Sequence, residues 1–276
     1  MEIDIELFKK CLLEQKYSES SIHSYIVCLN QFYNYFKKSG ADIISFELVE
    51  KHVNWLIKDK EIGVAYQKQI LTSIQKYHEL VLNQSIELKA ILPKNNELQL
   101  PNCLSKIDVK NLIDKTENIK HKVIICLLYS GGLRLSELLN LTIKDIDIIN
   151  NTIHIKENKD LNDRIVNLSP VLIDLLPKYY LKYKPKLYVI EGRNGEAINE
   201  RSVQKIIQAA GIKAGIKAQV TPRCLRHCFA THLLENGTDI QYVQELLGHK
   251  SIKTTENYNH TSDITNSKIK SPLDLL

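Results

Sequence analysis

The sequence is short of arginine and lacks the long apolar runs of membrane proteins. Only six of its 37 basic residues are arginines. It contains no run of about 18 apolar residues, so no membrane-spanning helix is expected. The opening MEIDIELFKK carries acids and no apolar segment, so no signal peptide is expected there. The six cysteines are scattered singly, which fits reduced thiols in the cytoplasm better than a disulfide framework.

Positive charge is concentrated beyond the first third of the chain. The formal net charge is +5, yet residues 1–85 hold 10 lysines against 11 acidic residues. Three of the six arginines, Arg134, Arg223 and Arg226, fall in two short motifs. Because a guanidinium binds phosphate oxygens in a fork-like manner, this placement indicates a polyanion-binding region in the C-terminal part.

The hydrophobic pattern predicts a helical N-terminal domain over residues 1–84. Its apolar residues recur at helical spacing in four segments. These segments are residues 3–16, Ser20–Ser39 with Gly40 as its stop, a helix after Ser45 and a helix after Gly63. Composition and periodicity alone predict a small helical bundle and no particular role for it.

The periodicity stops at residues 85–101, which contain two prolines and predict an interdomain linker. Residues 102–276 mix helices with three short strands within 145–168, the first two forming a hairpin that turns at Asn150 and Asn151. A further strand is expected at 187–192. The predicted fold class is mainly α with a small β-sheet.

Residues 221–260 collect side chains that can meet one phosphate group. Thr221 and Pro222 begin a helix that Gly237 ends, and Asp239 caps a second helix that ends at Gly248. Considered singly, an arginine on a helix is usually a solvated charge, a histidine after a glycine is usually a turn residue, and a tyrosine on a short helix usually serves packing. The side chains of this stretch that can meet a phosphate are Arg223, Arg226, His227, His249 and Tyr258.

The order of these groups is more specific than any one of them. An RxxRH box at 223–227, LLGH at 246–249 and a tyrosine nine residues after that histidine resemble the C-terminal signature of the tyrosine recombinases, or phage-type integrases. LLGHKSIKTTENYNH is most similar to Xer-type members. GLRLSEL at 132–138 resembles the first arginine box of the same family.

The resemblance implies an architecture and a set of partners. Residues 1–84 would be a four-helix core-binding domain that closes one side of a clamp on duplex DNA. Residues 102–276 would be a mixed α/β catalytic domain whose C-terminal tail docks on a neighbouring subunit. The implied partners are double-stranded DNA with inverted half-sites and three further copies of the chain, which together form a tetramer. No membrane partner is implied, and any activating protein is unknown. The implied location is the cytoplasm, at the nucleoid.

The resemblance also implies a site-specific recombinase that cuts and rejoins DNA through a 3′-phosphotyrosyl intermediate. No carboxylate cluster suited to Mg²⁺ is found, so the predicted reaction needs neither metal nor cofactor. A zinc site at Cys224, His227 and Cys228 is not expected, given their helical spacing and the nearby arginines. The implied residues are Tyr258 as nucleophile, Arg134, Arg226 and Arg223 on the phosphate, Lys159 as general acid with Lys156 as the alternative, His249 as a donor, and Glu137 and His227 in support.

One position departs from the family pattern. Arg223 stands where the HxxRH box usually begins with histidine. An arginine cannot accept a proton near neutral pH, although it can donate hydrogen bonds to a phosphate. Two alternatives therefore stay open: a catalytically impaired DNA-binding relative of the recombinases, and a type IB-like topoisomerase that relaxes DNA by the same chemistry.

Overall fold

The computed structural model describes residues 3–93, 103–156, 163–248 and 271–276. The chain divides into two compact units, Met1–Leu98 and Gln99–Leu276. The predicted fold class is confirmed, because helices dominate the described residues and the strands form one three-stranded sheet. No helix in the described ranges has the length and apolar character needed to span a membrane.

The described residues of the first unit form four α-helices, as the apolar periodicity predicts. Serine hydroxyls begin two of them, since Ser18 accepts from the Ser21 amide and Ser45 from the Leu48 amide. Gly40, with φ of 67°, ends the second of the four helices. The helices are α1 Ile5–Glu14, α2 Glu19–Ser39, α3 Phe46–Lys60 and α4 Val64–Leu80.

The core of the first unit continues beyond α4. Phe8, Phe32 and Tyr77 are fully or almost fully buried in it. Leu88 is only 3% exposed and packs in the same cluster, just before a 3-10 helix at Lys89–Ile91. The described residues 85–93, predicted as part of the linker, therefore pack on the first unit, because Leu88 gains apolar contacts there.

The second unit is built around one helix that is apolar on every side. All eight residues of 123–130 are buried, which is typical of a helix at the centre of a core. Most of the other helices pack on it, and buried residues of the sheet belong to the same apolar cluster. The helices are α5 Lys106–Asp114, α6 Ile119–Ser130, α7 Leu135–Asn140, α8 Pro170–Tyr183, α9 Glu200–Lys213, α10 Pro222–Glu235 and α11 Ile240–Leu247.

The sheet confirms the predicted hairpin and third strand. Its strands are β1 Ile146–Asp147, β2 Thr152–Ile155 and β3 Arg164–Asn167, in that order and antiparallel. Along β3, Arg164 and Val166 are buried while Ile165 and Asn167 are exposed. Because alternate side chains of a strand share one face, Arg164 lies on the core side of the sheet.

The predicted strand at 187–192 is wrong. In the described chain this segment forms only isolated bridges, Tyr188 with Thr142 and Glu191 with Ala197. Its neighbour near residue 142 turns directly into a 3-10 helix at Ile143–Asp145. The segment therefore has no extended partner long enough to make a ladder.

The last six residues lie on the unit of their own chain. Leu273 is 4% exposed in the core of that unit, and the Ser271 hydroxyl donates to the Ser130 carbonyl at 3.2 Å. Lys110 Nζ donates to the Leu276 carbonyl at 2.6 Å. The resemblance implies docking on a neighbouring subunit, whereas residues 271–276 of this single chain pack in place, since Leu273 finds its apolar contacts there.

Candidate active site

The corner between α6 and α7 places the first arginine. Arg134 is the N-cap of α7, and its amide donates to Glu137 Oε2 at 2.6 Å. Its Nη1 donates to Glu137 Oε1 at 2.8 Å. Gly132 has φ of 57°, and a Cβ there would lie 2.5 Å from Phe229 Cδ1. Glycine at this position therefore lets α10 approach the corner closely.

Glu137 is the buried anion at the centre of the site. Arg164 Nη1 and Nη2 donate to its two carboxylate oxygens at 2.8 and 2.7 Å, and Arg226 Nη1 lies 3.7 Å from Oε2. Burial raises the pKa of the Glu137 carboxyl, but the hydrogen bonds and charge of Arg164, the Arg134 amide and the charge of Arg226 outweigh it. The resulting pKa is about 2. Glu137 is therefore ionised at neutral pH and holds the arginines together.

The C-terminal end of α11 is the second anchor of the cluster. Its last carbonyls carry the negative end of the helix dipole and lack partners within the helix, so cations suit them. Each of three carbonyls accepts from a different guanidinium. The pairs are Arg164 Nε to Leu246 O at 2.7 Å, Arg226 Nη2 to Leu247 O at 2.6 Å and Arg134 Nη2 to Gly248 O at 3.1 Å.

A cleft of about 780 Å³ opens in front of this cluster. Arg134, Arg223 and Arg226 line one part of it, and Arg201 and Lys205 of α9 line another. No described lining residue is acidic. Arg223 is exposed in the first turn of α10, whereas Arg226, three residues later, is 8% exposed. The cleft thus offers fixed positive charge to an anion.

The structure brings together three of the predicted site residues and buries two others. Arg134, Arg223 and Arg226 share the cleft. Glu137 and His227 are buried at 7% and 6% exposure. The other predicted residues, Lys159, His249 and Tyr258, lie outside the described residues, as does the short helix predicted after Ser251.

Lys156, the alternative general acid, is engaged elsewhere. Its Nζ lies 2.5 Å from Asp145 Oδ1. The hydrogen bond to Asp145 and its charge raise the pKa of the lysine, which disfavours release of a proton. This contact weighs against Lys156 as the general acid.

Arg164 is the residue that sequence reasoning missed. It makes two hydrogen bonds to Glu137 and one to the end of α11, yet it belongs to none of the motifs found in the sequence. The signal was the alternation of DRIVNL, which puts Arg164 on the same buried face as Val166 and Leu168. A buried arginine requires a buried partner.

Comparison with known proteins agrees with the geometry. The family model described as "Phage integrase family" matches residues 102–264. Tyrosine recombinase XerD of Staphylococcus aureus is 30% identical over 283 residues, covering 95% of both chains. The chain belongs to the phage integrase family. It is a tyrosine recombinase of the Xer type, an enzyme of site-specific DNA recombination.

Solved structures of tyrosine recombinases share this fold. The XerH recombinase, solved in a post-cleavage complex with a palindromic difH substrate, gives a TM-score of 0.76 at 25% identity and covers 92% of this chain and 80% of its own. A lambda integrase fragment, solved as a dimer on a core site, gives 0.73 at 15% identity and covers 96% and 98%. The lambda integrase likeness concerns the fold alone.

Proposed function

We propose that this recombinase breaks and rejoins DNA strands at the arginine-lined cleft, with Tyr258 as nucleophile. The observation that carries the proposal is the convergence of Arg134 and Arg226 on one cleft, both fixed by Glu137 and by the end of α11. A phosphate in the cleft meets charges that are already in place. Little reorganisation is then needed as charge develops in the reaction.

The cleavage step follows from the chemistry of the side chains. The Tyr258 oxygen attacks phosphorus, its phenolic proton leaves, and a phosphotyrosyl bond forms as the bond to the 5′ oxygen breaks. Arg134 and Arg226 stabilise the extra negative charge on the non-bridging oxygens. Lys159 protonates the departing 5′ oxygen. Rejoining is the reverse sequence, with a 5′ hydroxyl of the partner strand as the attacking group.

Arg223 acts in this proposal as a phosphate ligand. Its exposure and its place on the cleft wall suit a charged donor to a non-bridging oxygen. A guanidinium stays protonated, so the tyrosine proton passes to solvent water. The departure from the usual histidine is therefore compatible with an active enzyme.

His249 is proposed as a further donor to the phosphate. It directly follows Gly248, whose carbonyl accepts from Arg134. A Cβ built on Gly248 would lie 3.3 Å from Arg164 Nη1, so the chain passes close to the arginines at this point. The position of Gly248 supports placing residue 249 at the site.

The proposed partner is duplex DNA with inverted half-sites, bound by a tetramer of this chain. The XerH relative was solved in a complex with a palindromic substrate. Met1–Leu98 is proposed as the core-binding domain and Gln99–Leu276 as the catalytic domain. Exchange of the C-terminal end between subunits, and a cytoplasmic location at the nucleoid, belong to the same proposal.

A covalent-trapping experiment tests the nucleophile. Duplexes that bind the protein are selected from a random pool, nicked near their centre so that the cleaved fragment diffuses away, and analysed on a denaturing gel. The wild type should give a covalent adduct. Tyr258→Phe should bind the same DNA without forming one, and Tyr242→Phe, an exposed tyrosine on α11, is the matched control.

An adduct that persists in Tyr258→Phe would overturn the assignment. Absence of an adduct from a wild-type protein that binds DNA would favour the catalytically impaired relative. Relaxation of supercoiled DNA without strand exchange between paired sites would favour the topoisomerase.

A further inference from the structure

Three cysteines lie together behind the arginine cleft, in a place that the cleavage chemistry does not use. Cys103 is in the described segment that precedes α5, while Cys224 and Cys228 are on α10. Cys103 is partly exposed, Cys224 is 8% exposed and Cys228 is fully buried. A partly exposed thiol therefore stands next to buried ones.

Backbone and histidine contacts fix the Cys103 segment against α10. The Leu104 amide donates to Cys228 Sγ at 3.2 Å. Cys103 Sγ lies 3.7 Å from His232 Nε2, one helical turn beyond Cys228. His232 is itself held, because its Nδ1 is 2.8 Å from the Tyr129 hydroxyl and its Nε2 is 3.0 Å from the Leu104 carbonyl. The Cys103 sulfur therefore sits against the turn that begins at Cys228.

The surroundings of Cys103 and Cys228 shift the pKa values of the two thiols in opposite directions. A hydrogen bond from the Cys228 thiol, together with His232, lowers the pKa of Cys103 against the opposing effect of burial. Hydrogen bonds to Cys103 and Cys224, and burial, raise the pKa of Cys228. Cys103 thus gains thiolate character while Cys228 keeps its proton. A low-pKa, accessible thiol beside a second thiol is the arrangement found at redox-sensitive cysteines.

We propose that Cys103 and Cys228 form a peroxide-sensitive dithiol that closes to a disulfide. The Cys103 thiolate attacks one oxygen of hydrogen peroxide, the O–O bond breaks, and with one proton the products are a sulfenic acid and water. The Cys228 sulfur then attacks the Cys103 sulfur and displaces the hydroxyl group, which leaves as water with the Cys228 proton. Two thiols are oxidised by two electrons and one peroxide is reduced to two waters.

Helix geometry selects Cys103 over Cys224 as the partner of Cys228. Cys224 and Cys228 are four residues apart on α10, and side chains at this spacing have Cβ atoms about 5–6 Å apart. A disulfide requires Cβ atoms about 3.5–4.5 Å apart. Cys103 is not on α10 but in the segment before α5, whose Leu104 amide already contacts Cys228 Sγ, so this restriction of helical spacing does not apply to it.

The disulfide would join residue 103 to the helix that carries the arginines. Cys228 lies two residues after Arg226, whose guanidinium faces the cleft. The bond would tie the start of the second unit covalently to α10. The chemistry of this dithiol stands independently of the proposed DNA cleavage.

Peptide mapping of the full-length protein tests the proposal. The reduced protein is treated with hydrogen peroxide at neutral pH, remaining thiols are alkylated, and digests are analysed by mass spectrometry. A Cys103–Cys228 cross-linked peptide that dithiothreitol removes is expected. Without peroxide, Cys103 should be alkylated about tenfold or more faster than Cys11, a partly exposed cysteine of the first unit.

Three variants complete the experiment. Cys103→Ser should abolish the cross-linked peptide, and Cys224→Ser should leave it intact. In Cys228→Ala, oxidation by peroxide should stop at a Cys103 sulfenic acid, which dimedone traps. Circular dichroism checks that this variant is folded. A Cys224–Cys228 peptide as the main product, alkylation of Cys103 at the rate of Cys11, or a cross-linked peptide that survives in Cys103→Ser would each overturn the proposal.

Discussion

Arg164 and Glu137 face each other through two hydrogen bonds of 2.8 and 2.7 Å, with their side chains 7% and 5% exposed. The pair links β3 to α7, and Arg164 Nε extends the link to α11 at Leu246. Arg134 and Arg226 reach the same carboxylate. The positions of the two arginines in the cleft therefore depend on one buried carboxylate and on a third arginine that does not line that cleft.

Glu137→Gln is expected to destabilise the second unit. The amide keeps the shape of the side chain but leaves the charge of Arg164 buried without its counter-ion. Removing one partner of a buried ion pair costs about 3–5 kcal/mol. Urea unfolding followed by far-ultraviolet circular dichroism measures the loss of unfolding free energy, with Ser136→Ala on the exposed side of α7 as control. A change below about 1 kcal/mol would show that the pair contributes little to stability.

Gly132→Ala is expected to disturb the packing of α10 on the arginine corner. The new Cβ would lie 2.5 Å from Phe229 Cδ1, and φ is 57°. Overpacking of this kind costs about 1–3 kcal/mol beyond the backbone strain. Gly215→Ala is the matched control, because φ there is 77° and nothing lies within 4 Å of its Cβ. Equal losses of unfolding free energy in the two variants would show that the close approach is unimportant.

The sequence predicts features that depend on neighbouring residues, but it does not predict contacts between residues that are far apart along the chain. Thr221 and Asp239 begin their helices as expected, because a cap depends on neighbouring residues. Arg134 and Arg226 were found through motifs. The role of Arg164 was missed because its partners are 27 and 82 residues away in sequence. The burial of Leu88 was missed for the same reason, since it depends on the tertiary packing of the first unit.

The first unit is expected to lose stability as the pH falls below 6.5. His52 is fully buried, and within the described chain neither of its ring nitrogens has a hydrogen-bond partner. Burial lowers its pKa from 6.5 to about 4. As the pH falls, the unfolded chain binds this proton before the folded chain does. The free energy of unfolding is therefore expected to decrease by about 3 kcal/mol between pH 6.5 and about pH 4.

His52→Phe tests this origin of the pH dependence. Phenylalanine suits a site between the rings of Phe32 and Trp55 and has no group to protonate. Urea unfolding at pH 7, 6, 5 and 4 should show a flatter decrease for this variant. His23→Gln, at an exposed position on α2, should keep the wild-type slope. An unchanged slope in His52→Phe would assign the effect to other groups.

Arg223 should act as a phosphate ligand rather than as a proton acceptor. Arg223→Ala is then expected to lower the rate of covalent complex formation by about 10²–10³, the usual cost of removing one donor to a developing charge. Arg223→Lys, which keeps one charge, should lose less, and Arg193→Ala at an exposed site outside the cleft should lose nothing. The measurement is single-turnover adduct formation on nicked DNA at saturating protein.

If Arg223→His instead accelerates the reaction, with a rate that rises with pH through the range where histidine deprotonates, the site lacks a proton acceptor that histidine supplies. Equal rates in the wild type and Arg223→Ala would remove Arg223 from the reaction.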